Sequence, residues 1–185
     1  AGEARSAADR TAAERYFERA IELGDRGPDP DAFLRLVELY ASAQARAPLA
    51  RLMERYQGAL FSEKSGAYGR GDWPLIYRMH VALGMTYAYM QVWRSEAPYQ
   101  NALFQLEHAQ SAAAQLNAMA ERAGSDERVA VPTRALKALA DGYRAVGQPA
   151  RVQRAVLDGA EQLRRVGQAA DSVDALAILT PRDVQ

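Results

Sequence analysis

The chain has 185 residues, with 23 Lys+Arg balanced by 23 Asp+Glu and 49% hydrophobic residues. That composition suits a folded domain with a sizeable core, and it excludes both disorder and a global field that would gather nucleic acid or an anionic membrane. There is no cysteine, so disulfides, thiol nucleophiles and thiolate-held metals are excluded too, and His80 and His108 are the two imidazoles.

Apolar residues recur at steps of three and four among abundant alanine, leucine, arginine and glutamate, and alternating β-branched stretches are absent, which predicts an all-α fold. The first helix reads "AAERYFERAIEL", with Ala13, Tyr16, Phe17, Ala20, Ile21 and Leu23 on one side. "GDRGPDPD" stops it through Gly24, Gly27, Pro28 and Pro30. "DAFLRLVELYAS" then carries Phe33, Leu36, Val37 and Tyr40, and "LARLMERYQGALF", with Pro48 in its first turn, carries Leu49, Leu52, Met53 and Tyr56. Residues 62–73, "SEKSGAYGRGDW", have three glycines and no apolar period, and read as an inserted loop. Asp72 and Pro74 open a long helix expected to run to Arg94, where "SEAPYQ" turns the chain. Its partner, "NALFQLEHAQSAAAQLNAMAERA", ends at Gly124; "TRALKALADGYRAV" and "ARVQRAVLDGAEQLRRV" follow on either side of Gly147, and a short segment over 170–180 closes the chain. No run is apolar for long enough to span a bilayer, and a first residue of alanine predicts a removed leader or a segment of a longer protein.

The pairs can be laid over one another. Phe33-Leu36-Val37-Tyr40, His80-Leu83-Gly84-Tyr87 and Leu136-Leu139-Ala140-Tyr143 share steps of three, one and three. Ala13-Phe17-Ala20 and Ala102-Leu106-Ala109 share steps of four and three, as do Val152-Val156-Gly159, and Leu49-Met53-Tyr56. This grammar resembles the tetratricopeptide repeat, an aromatic followed by Leu-Gly and Tyr and then an Ala-x3-Phe helix, and the resemblance covers about residues 11–167. It implies an α-solenoid of stacked antiparallel hairpins in a right-handed superhelix, with units at about 1–27, 28–61, 74–124 and 132–167 and a C-terminal capping helix. Spacings of 36, then 53 and 50 residues between Phe17, Met53, Leu106 and Val156 depart from one fixed period, and the first unit lacks a recognisable first helix. A generic helical bundle would share much of the apolar pattern.

Glycine inside a helix costs roughly 1 kcal/mol against alanine, so Gly84 predicts a second helix pressed against that point. Ala140 and Val37, with Ala20, Ala109 and Gly159 on the facing helices, are its expected counterparts, and Tyr40, Tyr87 and Tyr143 should fill the grooves between units. In this family the first helices line a concave surface that holds peptides or partner helices. The resemblance therefore implies a binding face of Arg78, Met85 and Tyr89 with Arg134, Lys137, Asp141 and Arg144, together with Leu34 and Glu38 on the earlier unit. The last unit is locally basic and suits a partner's carboxylates. Asp141 stands where carboxylate-clamping relatives use asparagine, so that recognition mode is not implied. Tyr68, Arg70 and Trp73 form a second candidate contact in the inserted loop, and Trp93 and Trp73 are alternatively expected to cover helix ends. "RGD" at 70–72 is too short to carry weight, and "GAYGRG" lacks the strand that a phosphate cradle follows.

His80 falls on an apolar repeat position and His108 beside Ala109, so packing explains both better than catalysis or metal binding. No catalytic, cofactor or metal motif is present in the sequence. These observations predict a non-enzymatic scaffold or adaptor for a protein or peptide, without nucleic acid, cofactor, metal or membrane span, and able to belong to a homo-oligomer or larger complex. A sensory or regulatory domain of a longer protein and a structural subunit of an envelope or motility assembly are the rivals. Lys64 and Lys137 are the only lysines, an arginine bias that points to a GC-rich bacterial genome and leaves cytoplasm and periplasm equally open.

Overall fold

A computed structural model describes residues 2–24, 28–97 and 99–184, with side chains from residue 9 onward. Gly27, in the predicted stop, and Pro98, in the predicted turn, lie outside the described residues. Among the described residues there are nine helices and no strand: α1 (Gly2–Glu22), α2 (Pro30–Ser42), α3 (Arg46–Leu60), α4 (Ala67–Arg70), α5 (Trp73–Tyr89), α6 (Ala102–Arg122), α7 (Thr133–Ala145), α8 (Pro149–Arg165) and α9 (Ala169–Leu176). The protein is thus all-helical, as the apolar periods require. It divides into two compact units, residues 1–72 and 73–185.

Local chemistry sets the helix starts. Asp29 caps α2 by accepting from the Ala32 N–H at 2.8 Å, and Asn101 caps α6 in the same way from the Phe104 N–H. Pro30 and Pro149 occupy the first turns of α2 and α8, where no intrahelical donor is lost. Pro30, read in the sequence as part of a stop, is therefore the beginning of the next helix.

The helix ends share one device. In α2, α5, α6, α7 and α8 the second residue past the cap donates its N–H to a carbonyl five residues back, and the residue between takes a left-handed conformation. Glycine fills that place at Gly124, Gly147 and Gly167, but Gln44 (φ 50°) and Gln91 (φ 56°) fill it after α2 and α5. The accepting carbonyls on α2, α5 and α7 belong to Tyr40, Tyr87 and Tyr143, at 2.8, 2.9 and 2.8 Å. The three helices aligned by sequence therefore also stop in the same register. This corrects the expected long helix to Arg94: α5 ends at Tyr89, and Val92, beyond it, accepts from the Ala102 N–H at the start of α6.

In the first unit α1 and α3 both pack on α2. Phe33, Leu36, Val37, Leu49 and Met53 are fully buried there. The predicted loop 62–73 is more ordered than its composition suggested. It contains α4, and a Cβ at Gly66 or Gly69 would lie within 2.7 Å of backbone atoms of residues 59–64, so the chain folds back at a distance only glycine allows. Trp73 lies beyond this segment, as the first residue of α5.

In the second unit α5 pairs with α6 and α7 with α8; α7 also packs on α5 and α6, and α9 packs on α7 and α8. Each hairpin closes where a glycine meets a leucine. A Cβ at Gly84 would stand 2.6 Å from Leu106, and one at Gly159 would stand 2.5 Å from Leu136. Gly142 adds a third approach, against Leu103 and Trp93. The residues aligned with these pairs, Ala140 with Val156 and Ala109 with His80, are all buried. The glycines thus bring helix axes close enough for leucine to fill the gap, which offsets their poor helix propensity.

Candidate partner-binding face

The residues expected to bind a partner fall mainly on two helices in contact. Arg78, Met85 and Tyr89 stand on α5, and Arg134, Lys137, Asp141 and Arg144 on α7, which packs against it. Arg78, Arg134 and Lys137 are exposed, and Tyr89 retains 60% of its surface. Met85 departs from expectation: it is half-buried and packs on the core formed by α6 to α9. Leu34, placed on the outer face of the earlier unit, is buried as well, because α2 is covered by helices on more than one side. Tyr68 packs near the Phe61 ring, and exposed Arg70 donates to Ser65 O at 2.7 Å, so both belong to the internal structure of the 62–71 fold-back.

Arg144 faces the chain's own C-terminus. Its Nε and Nη2 donate to the two carboxylate oxygens of Asp183 at 3.2 and 2.7 Å, Nη2 also reaches Ile178 O at 2.7 Å, and Nη1 reaches Asp141 at 3.0 Å. Asp183 in turn accepts from the Thr180 N–H and hydroxyl. Arg144 and these Thr180 donors hold the Asp183 carboxyl well below the usual carboxylate range. Asp141 also receives Lys137 at 2.7 Å, which leaves Lys137 exposed and Arg144 occupied.

The buried carboxylate makes this contact a structural clamp. Arg144→Met should leave Asp183 without its counter-charge and loosen residues 178–183 by about 2 kcal/mol, roughly a 30-fold faster amide exchange in that segment. Because the folded-state value is depressed, the stabilisation is present above pH 4 or so and fades as pH falls through the folded value. An exchange rate unchanged by the substitution would show that Ile178 and Leu179, packed on the core, suffice to hold the tail.

A groove of about 470 Å³ opens beside Arg78, between the start of α5, the end of α6 and the segment after it. Tyr77, Leu116, Met119 and Val129 give it an apolar floor, and Arg78 and Glu127 stand at its rim. Its outer wall is fixed. Asn117 exchanges two 2.8 Å hydrogen bonds with the backbone of Val129, and the Tyr77 hydroxyl donates to Ala130 O at 2.8 Å. Met119 keeps 41% of its surface within this otherwise anchored site. Sequence patterning missed the groove because its wall has no helical period.

A second depression, of about 490 Å³, is polar. There Tyr143 donates to Glu107 at 2.9 Å, Arg151 pairs with Glu107 at 3.2 Å, and the Arg151 guanidinium lies 4.7 Å from the Tyr143 ring centroid. These groups satisfy one another, so they brace α6, α7 and α8 rather than await a ligand.

The imidazoles are packing elements. His80 is 2% exposed. Gln105 donates to Tyr99 O at 2.6 Å, so its carbonyl oxygen is the acceptor for His80 Nδ1 at 2.7 Å. His108 donates from Nδ1 to Phe104 O and stacks on the Phe104 ring at 3.9 Å. Burial lowers the His80 pKa to about 4, with the Gln105 hydrogen bond pulling the other way. Among the described residues no cluster of three or more His, Asp or Glu side chains could hold a metal, and no helix is long and apolar enough to cross a membrane. Comparison with known proteins finds no matching family model, curated protein or solved structure.

Proposed function

We propose that this chain is a non-enzymatic scaffold of the tetratricopeptide kind, whose α5–α7 face holds a segment of a partner protein. One observation carries the reading: three helices with the same apolar steps stop in the same register, each at a tyrosine carbonyl, and two of them stand in successive packed hairpins. A preformed face limits the ordering cost of binding, which favours moderate affinity for an extended or helical segment. Arg78, Arg134 and Lys137 are the exposed basic side chains of this face, Lys137 being paired with Asp141, and the groove beside Arg78 accommodates an apolar anchor. The partner segment on this reading carries acidic residues near a large apolar side chain. The structural-subunit and regulatory-domain alternatives lack a comparable observation in their favour.

Affinity capture with the whole chain, followed by mass spectrometry, tests the reading. Reversing Arg134→Glu and Lys137→Glu together, and separately changing Met119→Glu, should each remove the specifically captured protein while leaving helicity intact. Arg144 is unsuitable for this purpose because its loss releases the tail. A captured set unchanged by both variants would contradict the proposed face.

A further inference from the structure

The segment after α9 lies on α7, one of the two helices proposed to hold a partner. Thr133, the first residue of α7, donates from its hydroxyl to Asp171 O at 3.2 Å, and Arg144, in the last turn, grips Asp183 at 2.7 Å. Residues 171–183 therefore run along α7 from its first turn to its last. Helix α9 ends at Leu176, and irregular chain follows. Ile178 and Leu179 pack half-buried on the core, whereas Thr180, Pro181, Arg182 and Val184 are exposed. Asp183 is 4% exposed, the one buried side chain among the described residues beyond Leu179. Arg144 takes this carboxylate through two guanidinium nitrogens and receives the Ile178 carbonyl on one of them. Carboxylate and main-chain carbonyl together are features of a peptide, and the planar fork of arginine suits both.

We infer that residues 178–183 are an internal occupant of the partner site, displaced when a partner segment brings its own carboxylate to Arg144. The inference rests on the α5–α7 reading for the identity of the competitor. Two large apolar side chains followed by an acidic one match the chemistry that this face selects, and Arg144 shares one side of α7 with Lys137 through their common partner Asp141. Release strands neither charge. Asp183 passes to water, and Arg144 keeps Asp141 at 3.0 Å, so exchanging one carboxylate for another costs less than removing either partner of the buried pair. The apparent affinity of the face is lowered in proportion to the small fraction of chains in which Arg144 stands open.

A peptide of the chain's own sequence reads this without a natural partner. LAILTPRDV, residues 176–184 with both ends blocked, carries its aspartate as the sole carboxylate. Titrated into the full nitrogen-labelled chain, it should shift the Arg144 Nε–H signal and the amides of the last turn of α7. Asp183→Asn, which removes the internal carboxylate, should bind the peptide about tenfold or more tighter than the wild type does. Adding Ile178→Ser and Leu179→Ser, which vacates the apolar seats, should tighten it further. A peptide bearing Asp183→Asn should bind none of these chains. Circular dichroism should show unchanged helicity in Asp183→Asn, while the amides of residues 180–184 exchange faster. Equal affinity for the wild type and Asp183→Asn, no binding to Asp183→Asn, binding that does not need the peptide carboxylate, or a segment still anchored in Asp183→Asn would each overturn the inference. Partner capture with Arg134→Glu and Lys137→Glu does not read the Asp183 contact, so failure here is distinguishable from failure of the proposed binding face.

Discussion

Replacing Gly84 with leucine is expected to unfold the second unit or cost it about 3 kcal/mol or more. Even the first added carbon would stand 2.6 Å from Leu106 Cδ2 and 3.2 Å from the Leu106 backbone nitrogen, so the helices must separate to admit it. Alanine is the finer probe. In an open helix Gly84→Ala would gain about 1 kcal/mol, but here the clash should reverse the sign to a loss of about 1–2 kcal/mol. Leu106→Ala alone opens a cavity and should cost about 2–4 kcal/mol. Combined, the two changes relieve each other, so the double variant should be more stable than the sum of the single losses by at least about 1 kcal/mol. Trp73 and Trp93, the two tryptophans, both lie in the second unit, so denaturant titration by tryptophan fluorescence reports this unit. Additive losses would mean that Gly84 and Leu106 do not touch.

The second large effect is a pH dependence of that same unit. His80 is buried and neutral with a pKa of about 4, whereas an unfolded histidine titrates near 6.5. Between those values the unfolded chain binds a proton that the folded chain refuses. Stability should therefore rise from pH 4 to pH 6.5, by on the order of 3 kcal/mol, and level off above. His80→Gln keeps a donor for the Gln105 oxygen without a titrating group and should flatten the curve across this window. The Asp183 clamp is lost separately, only as pH falls below 4 or so, because its folded value is depressed and its stabilisation is present above that range. A variant with the same slope as the wild type would assign the dependence to other groups.

Legibility in the sequence followed how local the cause was. Apolar steps and prolines placed the helices, and Gly124, Gly147 and Gly167 marked three helix ends because glycine commonly takes the left-handed cap. Gln44 and Gln91 do the same work without that signature, so the end of α5 was read five residues too late. Gly84 was legible as a contact because nothing else accounts for its cost inside a helix. Met85 and Leu34 were misplaced on outer faces because a helix packed by several neighbours buries more than one stripe. The partner of Arg144 lay beyond reach, since Asp183 is 39 residues away and no local pattern links them. The groove at Met119 was hidden for the same reason: its wall comes from an irregular segment held by Asn117.

Nested hairpins are the foundation for the proposed binding face, and proton NMR can see the nesting. Nuclear Overhauser spectra of the methyl-labelled chain should show strong cross-peaks from the Leu106 methyls to the Gly84 α-protons, and from the Leu136 methyls to those of Gly159. Spectra with assigned methyls but neither pair of cross-peaks would contradict the stacking.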